Sequence, residues 1–132
     1  MARTGKSGVV HLDTHIVCWL YEGRTELLTL AAMQAIESNL LQVSPVVQLE
    51  LTYLHEIGRI NRGGNSVLEA LTKDIGLSVA DVSFAQVIKA AEALSWTRDP
   101  FDRMIAAHAV IADALLVSKD ALIRKHCPNV VW

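Results

Sequence analysis

Little in this chain favours export, a membrane or a disulfide scaffold. Its 132 residues include two cysteines, Cys18 and Cys127, which stand in no metal-ligand spacing and are expected to be free, buried thiols. No apolar run is long enough to span a bilayer. The N-terminus is basic, but His11 and Asp13 interrupt the apolar run behind it, which argues against a signal peptide and makes the cytoplasm the expected compartment. Charge is scarce as well: 20% of residues are charged, the net is −2 and the pI about 6.2. Such a chain does not grip nucleic acid with a general basic surface. That role would need local basic residues, or a metal that reverses the sign of an acidic site. What the chain has instead is apolar residue, 52% of the total, enough for one domain with a real core and apolar surface left for a partner.

Residues 1–8 are small and polar and are expected to form a flexible tail, with a single domain over 9–132. Gly5-Lys6-Ser7 is not a phosphate-binding loop, because it precedes a strand instead of following one. Short β-rich runs at Val9–Leu12, Leu40–Val43, Leu77–Val79, Leu115–Ser118 and Asn129–Trp132 alternate with helical stretches. The expected helices are His15–Leu20, Glu26–Ser38, one opened by Ser44-Pro45, Ser66–Ile75, Ser83–Leu94 capped by Asp81 or Ser83, and one opened by Asp99-Pro100. Asn61–Asn65 reads as a loop. This alternation argues for an α/β three-layer α/β/α sandwich around a mainly parallel sheet of about five short strands.

Four acids occupy comparable places. Asp13 and Asp120 end strands, while Glu50 and Asp102 sit early on helices that open toward the same sheet edge. Each has a plainer reading. Asp13 or Thr14 caps the first helix, and Asp99 caps the helix on which Asp102 follows three residues later. Glu50 lies on the apolar stripe of Val46, Val47, Leu54 and Ile57, where it must snorkel, pair or coordinate. Four converging carboxylates repel; at about 4 Å one pair costs roughly 1 kcal/mol in water and about 4 at an effective dielectric near 20. Raised pKa values or bound cations relieve this, and oxygen-only donors favour Mg²⁺ or Mn²⁺. None of the five histidines has metal-ligand spacing, and His108 points away from Asp102 on the helical count. Trp19 reads as core or interface.

Asp13 after an apolar strand, Glu50 within Ser-Pro-Val-Val-Gln-Leu-Glu-Leu, the run Asp-Pro-Phe-Asp-Arg-Met-Ile-Ala-Ala-His-Ala and Leu-Val-Ser-Lys-Asp together resemble the PIN-domain family, and in it the VapC-type toxin ribonucleases. The resemblance runs from about Val9 to Trp132. It implies a PIN-like fold and a Mg²⁺- or Mn²⁺-dependent endoribonuclease toxin, inhibited by a cognate antitoxin and often homodimeric. It also implies catalytic and metal-holding roles for Asp13, Glu50, Asp102 and Asp120, with Thr14, Asp99 and Ser118 in support. By the same likeness, a metal-activated water cleaves the phosphodiester to a 5′-phosphate and a 3′-hydroxyl. Arg98, Arg103, Lys119 and Arg124 stand near the acids in sequence as candidate RNA phosphate ligands.

Three rivals are weaker. An aspartyl-nucleophile phosphatase would carry an acid where His15 stands. A metal-binding receiver-like signalling module needs a phosphoacceptor on a middle strand, for which Leu77–Asp81 is a poor match. A catalytically silent PIN-like binding protein has no need of all four acids. For the antitoxin, the apolar faces of Ile16–Leu20 and Leu27–Ile36 are the expected groove, with burial in the domain's own core as the competing reading.

Overall fold

The computed structural model describes residues 8–132. The tail expected over 1–8, Gly8 apart, and Gly5-Lys6-Ser7 lie outside the described residues. Five strands, β1 (Val9–Leu12), β2 (Leu40–Val43), β3 (Ser78–Val79), β4 (Leu115–Val117) and β5 (Val130–Val131), form one all-parallel sheet in the order β3-β2-β1-β4-β5. The helices among the described residues are α1 (Thr14–Tyr21), α2 (Leu30–Ser38), α3 (Pro45–Glu56), α4 (Gly64–Ile75), α5 (Phe84–Ala91), α6 (Pro100–Ile111) and α7 (Ala121–His126). Successive β1 residues point to opposite faces, yet Val10, His11 and Leu12 are all buried. Both faces of the sheet are therefore covered, which is the three-layer sandwich expected of parallel strands. β1 is also where the strand order reverses, so the crevice beyond its carboxyl end is the natural ligand position.

Local signals explain most boundaries. Ser44 and Asp99 cap α3 and α6, each followed by proline in the first turn, and Ser83 caps α5. Elsewhere the structure corrects the sequence reading. α2 does not start at Glu26: a single 3-10 turn covers Thr25–Leu27, Leu28 is extended, and Thr29 restarts the helix by accepting from the Ala32 N–H at 3.1 Å. Ile57 leaves the buried stripe of α3 because it is already the C-cap residue, and Leu51 is buried in its place. α4 begins two residues early, at Gly64. A Cβ there would lie 2.0 Å from the Gln48 carbonyl oxygen, so the glycine is what lets α4 press against α3. α7 was not expected; at six residues it is too short to carry a period, and its start is the Asp120 cap.

The core takes part of what the antitoxin groove was expected to use. Ile16, Val17 and Cys18 of α1, and Ala32, Ala35 and Ile36 of α2, are buried within the domain, so the competing reading prevails for those residues. Leu30 remains 75% exposed. Cys18 and Cys127 are free and buried, as expected.

Candidate active site

The carboxyl ends of β1 and β4 are tied together where the Asp13 N–H donates to the Val117 carbonyl at 3.1 Å. Each strand then delivers a polar pair, Asp13-Thr14 and Ser118 with Asp120. Their side chains and backbone N–H groups form one chain of hydrogen bonds. Asp13 Oδ1 accepts from the Thr14 N–H at 2.7 Å, and its Oδ2 accepts from the Ser118 hydroxyl at 2.6 Å. Ser118 Oγ in turn accepts from the Asp120 N–H at 3.1 Å. On the other side the Thr14 hydroxyl donates to Glu50 Oε1, which brings α3 into the site. Thr14 and Ser118 thus join three of the four acids, and both are fully buried.

Asp13, not Thr14, is the N-cap residue of α1, but its carboxylate reaches only the adjacent N–H. Asp120 caps α7 through Oδ1, which accepts from Ile123 at 2.9 Å, and Asp99 caps α6 through Phe101 at 2.9 Å. Asp102 is different. No hydrogen bond or ion pair engages its carboxylate among the described residues. It is half-buried, and its pKa is raised to about 7 by burial first, then by the charges of Asp99, Asp13, Asp120 and Glu50. Burial also raises Asp13 and Glu50. For Asp13 the Ser118 and Thr14 hydrogen bonds oppose the rise, and for Glu50 the Thr14 hydroxyl does. The structure therefore brings Asp13, Glu50, Asp102 and Asp120 within one another's field, with Asp99 at the rim.

No lysine or arginine neutralises these acids by an ion pair among the described residues. Arg98 donates to the Ser95 carbonyl, and Arg103 to the Ala91 and Glu92 carbonyls, so both guanidiniums are engaged with backbone. Arg124 is exposed on α7, and Lys119 lies over the Trp19 ring. His108 is turned from the acids toward Ser44 Oγ, at 2.9 Å. Hard oxygen donors, an unpartnered carboxylate and a negative field that no ion pair cancels among the described residues fit a divalent cation in chemistry and sign. Among the described residues, no three His, Cys, Asp or Glu side chains already stand as a ligand set. A cavity of about 290 Å³ opens beside Asp13 and Asp120, walled by His15, Trp19 and Lys119. The sequence reads Trp19 as core or interface and gives His15 no part in the site; their four-residue spacing on a helix capped by Asp13 is the signal that sets both beside the acids.

A parallel sheet in this order, with carboxylates gathered at its carboxyl edge, defines a class, and the sequence match agrees: the PIN domain covers residues 10–127. The chain belongs to the PIN-domain family. Within it, the chain is similar to Ribonuclease VapC22 of Mycobacterium tuberculosis (strain ATCC 25618 / H37Rv), 33% identical over an alignment 129 residues long that covers 93% of this chain and 98% of the relative. The fold is shared with a toxin-antitoxin complex from Klebsiella pneumoniae (TM-score 0.66, 20% identity, 93% of this chain and 96% of that one). It is shared too with VapBC2 from Rickettsia felis bound to a promoter DNA fragment (TM-score 0.61, 21% identity, 92% and 95%).

Proposed function

We propose that this protein is a Mg²⁺- or Mn²⁺-dependent endoribonuclease toxin that cleaves RNA phosphodiesters and is held inactive by a cognate antitoxin. The observation that carries the reading is the set of acids around Asp13, of which Asp13, Glu50 and Asp102 are raised in pKa and none has an ion-pair partner among the described residues. Side chains so placed are costly in a merely structural role. Asp13, Asp102 and Asp120, with Glu50 directly or through water, would hold the ion. When bound, a divalent cation supplies the charge that steadies phosphate oxygens and makes water acidic enough to attack in line.

The chain's own residues do the rest. Ser118 and Thr14 fix the orientation of Asp13 and Glu50, and Asp99 sets the start of the helix that carries Asp102. Antitoxin control is supported by likeness to a VapC ribonuclease and by the toxin-antitoxin complexes that share the fold. A homodimer is supported by Leu49, Tyr53 and Ile57, which lie four residues apart along α3 and are about half exposed or more. No helix of the described residues is long and apolar enough to cross a membrane, in keeping with action on RNA in the cytoplasm.

The deciding experiment compares the wild type with Asp13→Asn on end-labelled RNA, with Mg²⁺, with Mn²⁺ and with chelator. Cleavage is expected only from the wild type with metal. Cleavage unchanged in the mutant or in chelator would overturn the proposal, and no cleavage under any condition would favour a silent PIN-domain binding protein.

A further inference from the structure

The cavity beside the acids has an aromatic wall that the cleavage chemistry does not use. His15 and Trp19, four residues apart on α1, share the helix face that lines it, together with Lys119. The half-buried Trp19 ring packs beside Trp132, with ring centres 6.1 Å apart and planes at 48°, which limits its freedom. Over it stands the Lys119 ammonium, 5.8 Å from the ring centre. We propose that Trp19 is a stacking platform for one unpaired nucleobase of the RNA, and that Lys119 leaves the indole face to hold the adjoining phosphate. This rests on the nuclease reading above and adds to it a base-binding subsite beside the acids.

Two magnitudes support the exchange. An exposed ammonium over an aromatic ring is worth about 0.5–1 kcal/mol. A base stacked on an aromatic side chain is worth about 1–3 kcal/mol, so the base displaces the ammonium. At about 290 Å³ the cavity is at the small end of ligand sites and has room for one planar ring, and only an unpaired base has a face free to stack there. Lys119 is exposed and lies between Ser118 and Asp120 in the chain, so on leaving the ring it stays beside the acids, where a backbone phosphate would pass.

The test uses a dye-labelled single-stranded oligoribonucleotide, with binding read by anisotropy in an Asp102→Asn background that does not cut it. Adding Trp19→Leu is expected to weaken binding about 5- to 150-fold, the fold-change of one lost stack, whereas Trp19→Phe keeps most of the affinity. Duplex RNA of the same sequence should show no dependence on Trp19. In the active protein Trp19→Leu is expected to raise KM with little change in kcat, and Lys119→Gln to weaken binding while the fold is kept. A folded Trp19→Leu protein that binds and cleaves like its parent overturns the subsite and leaves the nuclease reading intact. Trp19-dependent binding without cleavage in Mg²⁺ or Mn²⁺ would do the reverse. If Trp19→Leu does not fold, indole emission decides: RNA must quench the parent more than Trp19→Phe, and equal quenching overturns the proposal.

Discussion

At Asp13 the carboxylate is 4% exposed and held by one N–H and one hydroxyl, without a cation. Asparagine keeps the oxygen that accepts from Thr14 and turns an amide toward Ser118, whose hydroxyl can rotate to accept. Asp13→Asn should therefore leave the fold intact, with a metal-free melting temperature equal to or above that of the wild type, because a buried charge is gone. Cleavage of labelled RNA should fall at least about a hundredfold, the scale of losing one electrostatic group from a catalytic site. Asp120 separates differently, because it both caps α7 and faces the cavity. Asp120→Asn should keep the cap and lose activity. Asp120→Ala should lose activity and also about 1 kcal/mol of stability, read from urea midpoints. Equal stability of the two variants would mean that the cap contributes nothing.

Among the elements, α3 and α4 approach at Gly64 too closely for a side chain. A side chain there would meet the backbone of Gln48, not the movable end of a side chain, so the helices must part to admit it. Gly64→Ala should cost about 1–3 kcal/mol by overpacking, seen as a lower melting temperature. Because α3 carries Glu50, the same variant should weaken Mn²⁺ binding, whereas Asn65→Ala, one residue on and exposed, should do neither. The outward stripe of α3 gives a separate prediction. If it joins two copies, Tyr53→Glu should shift the protein toward monomer in light scattering while the helical circular dichroism of the folded chain is kept.

Across the whole molecule, pH acts through groups of opposite sign, of which His11 and Asp102 are one of each. His11 is buried under α6, its ring 5.3 Å from that of His108, and neither of its nitrogens has a hydrogen-bond partner among the described residues. Its pKa falls from 6.5 to about 4, through burial first and the His108 charge second. The stability this gives is complete above pH 6.5 and is lost as pH falls toward 4, because the unfolded chain then takes a proton that the folded chain refuses. The full loss is about 3 kcal/mol. Asp102, raised from 3.8 to about 7, works the other way: its contribution is present below pH 3.8 and lost as pH rises through 7. In chelator, Asp102→Asn should steepen the acid loss of stability and His11→Phe should flatten it, measured as urea midpoints at pH 5 and 7.5. Parallel curves for all three proteins would refute the assignment.

What could be read from order alone was local or periodic. Val9–Leu12 before Asp13, Ser44-Pro45 and Asp99-Pro100 identify their elements because capping and apolar spacing act over a few residues. Alternating strands and helices then imply the parallel sheet, and a parallel sheet gathers strand ends at one edge. The start of α2, the six-residue α7 and the reach of α4 back to Gly64 were not legible, since each depends on a cap or a contact that competes with propensity. The site's connections were hidden for a stronger reason. Ser118 meets Asp13 across 105 residues and Thr14 meets Glu50 across 36, while His11 finds His108 only through the packing of α6 on β1. Sequence determined which acids stand at the sheet edge. Tertiary structure alone decided which are buried, which share hydrogen bonds and which is left unpartnered, because burial and charge coupling depend on distance through space and not along the chain.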